Sequence, residues 1–271
     1  KQPRHVRGIL SDDKFIISLS EGRVCASQRQ GLGRWSMQIE DHAPGVALAG
    51  LCASPQSASS DIIVGGAAPN SHDALFALHS ISGRVVRGAV SDGTVTQLRK
   101  GSRYLCVGTE QGTIQLHDPR SLRAEHKLPA HHGGLIDLQT DGHLIYSIGW
   151  TLRQGRRIPE PFIKAHDVRT MQALIPTPLT APGGPALLAI HPKKSSIVAV
   201  ATPQSQFQLV DIHQPGQSQF YSMPSAALLT ALAFSSSAEA LAFGESDGSV
   251  RVWTSDALPT RCGSMRIPRR P

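Results

Sequence analysis

The chain has 271 residues, 40% of them hydrophobic and 17% charged, with 25 Gly and 19 Pro. That length suits one large domain or two small ones, and the scarcity of helix-favouring Lys and Glu beside so many turn formers argues for many short strands. The formal net charge of +7 is compatible with nucleic-acid contact, but Lys1, Arg4, Arg7, Arg261, Arg266, Arg269 and Arg270 put much of it at the two ends, the ordinary pattern of solvated tails.

No apolar run approaches the ~18–20 residues that span a bilayer, and residues 1–20 lack the apolar core and cleavage site of a signal peptide. The first residue is Lys1, not Met, as expected of a fragment. Cys25, Cys52, Cys106 and Cys262 stand far apart with no CxxC pair, which reads as reduced, core-packing thiols of a cytosolic or nuclear protein.

In chain order, residues 6–10 (VRGIL) read as the inner strand of a first unit, and residues 24–28 (VCASQ) as its third strand. Residues 47–52 open a second unit whose third strand is 75–79 (LFALH). The third strands that follow are 114–118 (IQLHD), 163–167 (IKAHD), 207–211 (FQLVD) and 250–254 (VRVWT). Residues 135–138 open the fourth unit and 187–190 the fifth, the latter running into the break His191-Pro192-Lys193-Lys194. The last unit is the clearest: alternating apolar runs at 229–234, 240–244 and 249–254, with Asp247-Gly248 between the second and third. Asp-Gly between two such runs is a strong hairpin signal, since Gly accepts the positive φ of a tight turn.

The third strands recur at intervals of roughly 40–50 residues, near the ~40–45 of one propeller blade. One small sheet cannot hide both its faces alone, so neighbouring sheets must stack. The fold class is therefore all-β, a WD40-type β-propeller with about six blades visible and seven expected, over residues 1–258. Residues 259–271 are expected to be a tail or a partial closing strand. Side chains such as Leu209 and Leu232 are expected in the core, at ~2–5 kcal/mol each on truncation to Ala. The signature dipeptides are degenerate: Trp253-Thr254 stands where Trp-Asp is usual, and no His precedes Leu229.

The candidates for chemistry are weak. Residues 244–248 (GESDG) match the G-x-S-x-G nucleophile elbow, but that motif needs a strand-to-helix turn, and a strand follows Ser246 here. His126, His131 and His132 with Asp137 fit no zinc spacing and read as an inter-strand loop. No catalytic residue, metal or cofactor is expected in this chain.

The most unusual stretch is 146–167, where residues 150–161 (WTLRQGRRIPEP) lengthen the connection between a second and a third strand. A long loop on a rigid scaffold is where binding residues gather. Trp150, Arg153, Arg156 and Arg157 are residue types favoured at interface hot spots and phosphate contacts. Together with Lys193 and Lys194 they form the candidate partner or RNA surface.

The run 147–155 (SIGWTLRQG), with 160–162 (EPF), 166–169 (HDVR), 176–179 (PTPL), 184–192 (GPALLAIHP), 204–211 (QSQFQLVD) and 241–248 (LAFGESDG), resembles the catalytic-subunit family of the Pan deadenylases, the poly(A)-specific nucleases. Residues 29–35 (RQGLGRW) resemble an early segment of the same family. The resemblance runs from about Val6 to Trp253; residues 54–74 and those after Thr254 match only loosely. It implies an N-terminal seven-bladed propeller, followed in the family by a linker, a pseudo-ubiquitin-hydrolase domain and an RNase-D-type exonuclease whose metal-binding acids lie outside this chain. It also implies a non-catalytic docking role in the cytoplasm, engaging the pseudokinase regulatory subunit and poly(A)-binding protein on mRNA tails, with a weak direct RNA contact and no membrane. The alternative is a WD-repeat scaffold of another cytosolic or nuclear assembly.

Overall fold

The computed structural model describes residues 6–11, 14–54, 61–67, 74–180 and 182–254. The expected tail over 259–271, Cys262 and the terminal charges Lys1, Arg4, Arg261, Arg266, Arg269 and Arg270 lie outside the described residues. The chain packs as two compact units, Lys1–His143 and Leu144–Pro271.

In the first unit, Val6–Ser11 (β1), Phe15–Ser20 (β2), Arg23–Gln28 (β3) and Gly33–Gln38 (β4) form one antiparallel sheet in chain order. The run that began as an expected inner strand is β1, so the first visible unit is a complete four-stranded sheet. Ala47–Ala53 (β5), Asp61–Ala67 (β6), Leu75–His79 (β7) and Val85–Ala89 (β8) make the second sheet. Val95–Lys100 (β9), Leu105–Thr109 (β10), Thr113–His117 (β11) and Ala124–Pro129 (β12) make the third, and Gly134–Asp141 (β13) follows.

The first strands of successive sheets lie side by side: β1 against β5, β5 against β9, β9 against β13. Small residues permit this. A Cβ on Gly50 would sit 2.6 Å from the Cβ of Leu98, so only glycine lets β5 approach β9 so closely. Side-chain bonds fasten β9 to β13. Gln97 donates to the Ile136 carbonyl at 3.1 Å, Arg99 pairs with Asp137 at 3.1 Å, and Thr140 donates to the Lys100 carbonyl at 2.7 Å. Between the first two sheets, Leu19, Val24, Leu48, Val64 and Leu78 share one apolar core, and Cys52, Leu75, Leu98, Leu105 and Val107 share the next.

The second unit holds Leu144–Arg153 (β14), Arg156–Pro159 (β15), Phe162–Asp167 (β16), Gln172–Ala173 (β17) and Thr177–Pro178 (β18). β14 pairs with β15 and β16, and β16 with β17 and β18. Leu187–Ile190 (β19), Ile197–Ala201 (β20), Gln206–Asp211 (β21) and Gln219–Ser222 (β22) form the next sheet. Leu229–Phe234 (β23), Ala240–Glu245 (β24) and Val250–Thr254 (β25) form the last described one. β19 lies against β23, as first strands do in the other unit.

The core here is aromatic. Phe207 lies 4.9 Å from Phe243 and 4.9 Å from Tyr221, and Trp253 lies 5.6 Å from Phe207, ring centre to ring centre. Trp253 thus packs against the neighbouring sheet although the residue after it is Thr. Leu209 and Leu232, expected in the core, are only partly buried and pack on its margin. The fully buried positions are taken by Phe207 and Phe243, whose larger rings fill the space between the sheets. Cys52 and Cys106 are buried as expected, and burial pushes each thiol up to about 12; Cys25 is only partly covered.

Candidate functional site

The insertion expected as a loop is a β-hairpin. Gln154 (φ 50) and Gly155 (φ 75) are consecutive left-handed residues, the conformation of the two-residue turn whose twist matches that of its flanking strands. β14 therefore continues beyond its pairing with β16, and β15 folds back along it. The register sets Trp150 opposite Pro159, Thr151 opposite Ile158, Leu152 opposite Arg157, and Arg153 opposite Arg156.

Directly opposed residues share a face and successive residues alternate. Trp150, Leu152, Arg157 and Pro159 therefore project from one face, and Thr151, Arg153, Arg156 and Ile158 from the other. The four candidate residues of this segment split two and two. Burial falls off along β14, from a fully covered Ile148 through a half-buried Trp150 to an exposed Arg153. The tip also carries two large apolar side chains, Leu152 at 52% and Ile158 at 41% exposure.

The base of the hairpin is braced within its own unit. Glu160 is buried and pairs with Lys164 at 2.6 Å, and its amide donates to the Gly149 carbonyl at 2.9 Å. The amide of Leu179 donates to the Pro161 carbonyl at 2.9 Å. Gly184 (φ 82) abuts the proline ring, and a Cβ there would lie 2.4 Å from the Pro159 Cβ.

Lys193 and Lys194 are not brought to this surface. They lie in the turn after Ile190, and both their amides donate to Nδ1 of His191, at 3.2 and 3.0 Å. Gly183 and Gly184 precede Leu187 at the other end of β19, where Gly183 faces Gln204 and Gly184 faces Pro159. The hairpin and the lysine turn are thus separated by the length of β19, roughly 10 Å for four residues.

Ser246 lies in the tight turn between β24 and β25. Its amide donates to the Leu228 carbonyl at 2.8 Å, and its hydroxyl oxygen accepts from the Leu228 amide at 3.2 Å. It sits before a strand, with the geometry of a hairpin and not of a nucleophile elbow. Beneath it Glu245 is buried, which on its own would raise its carboxyl; the hydroxyls of Ser249 and Ser225 and the Arg251 guanidinium outweigh that and hold it below the usual range. Asp137 is committed to Arg99, His126 meets the Tyr104 ring edge-on at 5.8 Å, and no three metal-ligating side chains converge among the described residues.

Sequence reasoning missed two features. The exposed Leu152 and Ile158 were visible as apolar residues, but their outward position depends on the hairpin register. An open polar cavity of about 530 Å³, lined by Ser102, Arg103, Tyr104, Asp118, Arg120 and Glu125, draws on two turns of the third sheet that are distant in sequence.

Residues 50–254 match a protein-family model described as PAN2 N-terminal. The PAN2-PAN3 deadenylation complex catalytic subunit pan2 of Schizosaccharomyces pombe is 29% identical over 250 residues, covering 92% of this chain and 22% of that protein. The corresponding subunit of Cryptococcus neoformans is 29% identical over 273 residues, 97% of this chain and 22% of that protein. The chain thus spans about a fifth of the length of these curated relatives. Among solved structures, the Neurospora crassa Pan2 WD40 domain superposes with a TM-score of 0.81 at 24% identity, over 93% of this chain and 75% of that one. The WD40 β-propeller domain of Doa1 gives 0.73 at 15% identity, over 94% of this chain and 81% of that one. The fold is that of a WD40-type β-propeller.

Proposed function

The chain belongs to the PAN2 N-terminal family, and on that footing we propose that it is the non-catalytic docking propeller of an mRNA poly(A)-tail deadenylase. In this reading it engages the pseudokinase partner subunit and RNA coated with poly(A)-binding protein, in the cytoplasm, while the exonuclease chemistry belongs to another part of the polypeptide. One observation carries the reading: the match covers nearly all of this chain but only 22% of relatives named as catalytic subunits of a two-protein complex.

The physical basis is a set of stacked sheets whose interiors are filled by apolar side chains. Such a scaffold holds loops and hairpins in fixed positions and binds through shape and buried side chains. Trp150, Arg153, Arg156 and Arg157 on the hairpin are the surface assigned to partners. Lys193 and Lys194, at the far end of β19, would supply a separate, salt-sensitive attraction to RNA phosphate.

The test is reconstitution of the deadenylase with and without residues 1–271, followed on adenylate tails coated with poly(A)-binding protein. Slower shortening without the segment, with unchanged activity on bare oligoadenylate, is the expected result. Equal rates on the coated tail would overturn the docking role.

A further inference from the structure

The tip of the β14–β15 hairpin carries an electrostatic defect. Arg153 and Arg156 are directly opposed across the strand pair, share a face, and are both exposed. Like charges directly opposed on a strand pair destabilise it. Neither residue forms a salt bridge among the described residues, and Glu160, the acid at the base of the hairpin, is buried and bound to Lys164. The tip therefore carries an unbalanced positive charge that an anionic partner would relieve.

The apolar residues narrow the partner class. Leu152 and Ile158 are both exposed, and they project from opposite faces of the hairpin. A sugar–phosphate backbone offers little to cover either one, and a flat surface covers one face only. RNA recognition would pair phosphate contacts with a base stacked on an aromatic ring. Trp150, the hairpin's own aromatic ring, is half-buried and projects from the face opposite Arg153 and Arg156. Arg157, on Trp150's face, is already engaged within the chain.

We propose that the hairpin tip inserts into a cleft on a protein partner, an apolar cleft that closes on Leu152 and Ile158 from both sides and bears acidic side chains where Arg153 and Arg156 arrive. The braced base suits this role, because Glu160, Pro159 and Gly184 hold the hairpin upright without using its tip. A preorganised strand pair loses little conformational entropy on docking. The proposal rests on the docking reading given above and names the chemistry of the docked surface.

The experiment titrates the intact chain against two probes, the purified PAN3-type partner subunit and a bare 30-nucleotide oligoadenylate, by fluorescence anisotropy at two salt concentrations. Three forms are compared: wild type, Arg153→Glu/Arg156→Glu, and Leu152→Ser/Ile158→Ser. Thermal melts confirm that each is folded. The expected result is at least tenfold weaker binding of the partner subunit by both variants, with oligoadenylate binding unchanged. Partner binding equal to wild type in both variants overturns the tip proposal and leaves the docking reading standing. Loss of oligoadenylate binding alone in the arginine variant makes the tip an RNA contact and also overturns it. A wild-type chain that does not bind the partner subunit removes the docking reading, and the tip proposal with it.

Discussion

Gly184→Ala should destabilise the second unit by an amount that can be divided into two parts. Gly184 has φ 82, and an L-residue in the left-handed region costs about 1–2 kcal/mol. The new methyl would also lie 2.4 Å from Cβ and 2.7 Å from Cγ of Pro159. That neighbour is a ring held between Ile158 and the buried Glu160, so it cannot swing aside as a flexible chain end would. Overpacking of this kind costs about 1–3 kcal/mol more. Gly155→Ala provides the control, because Gly155 has φ 75 and nothing within 4 Å of its would-be Cβ. It should cost the backbone part alone.

The assay is urea unfolding followed by circular dichroism, with the midpoint compared at equal slope. Gly184→Ala should fall below Gly155→Ala by about 1–3 kcal/mol. Adding Pro159→Gly, which removes both clashing carbons, to Gly184→Ala should recover most of that gap relative to Pro159→Gly alone, since the pair is in contact and its effects are not additive. Equal losses at the two glycines, or no recovery in the double variant, would refute the claim that Gly184 braces the hairpin through Pro159.

Further outcomes follow from burial and titration. Phe207→Ala, which empties the centre of the aromatic cluster, should cost about 3–5 kcal/mol by chemical denaturation, and Leu232→Ala, on the margin, clearly less. Burial, then the charges of Lys194 and Lys193, lower the pKa of His191 from its ordinary 6.5. The folded state therefore binds fewer protons than the unfolded one below that value, so this contribution to stability is intact above about pH 6.5 and is lost as pH falls. His191→Phe should flatten that slope in melts taken between pH 7.5 and 5, because it removes the titrating group while keeping a ring against Phe234. Cys52 and Cys106, with thiols pushed up to about 12, should react with a disulfide reagent at pH 8 about a thousandfold or more slowly than Cys25. Rapid modification of all three in the folded chain would contradict their burial.

The strands of the last two sheets were legible because local chemistry and tertiary environment agree there. Residues 187–190 and 229–234 are β19 and β23 to the residue, since each apolar run stops at turn-forming residues, His191-Pro192 and Ser235-Ser236. The hairpin read as a loop because its strands alternate arginine with Leu and Ile, and Pro159 and Pro161 interrupt the run. The backbone does not need apolar side chains to pair. It needs a turn that closes, and Gln154-Gly155 supplies one by accepting two successive positive φ values. Pro159 is tolerated because it lies at the end of β15, opposite Trp150, where a missing amide leaves the ladder intact.

The placement of charge could not be read from spacing for a related reason. Arg153, Arg156 and Arg157 look like one basic cluster in the sequence, but a two-residue turn fixes which of them face each other. It sets Arg153 against Arg156 and sends Arg157 to the opposite face. A three-residue turn would have changed the pairing and dispersed the charge. The same logic takes Lys193 and Lys194 away from the hairpin's face, because β19 carries the chain from the Gly184 end of its sheet to the other. Insertion of one residue between Gln154 and Gly155 should therefore separate charge from position. It keeps every arginine and the net charge, yet breaks the opposition of Arg153 and Arg156. If the opposed pair is what a partner recognises, this insertion should weaken binding nearly as much as charge reversal; if net positive charge is enough, it should have no effect.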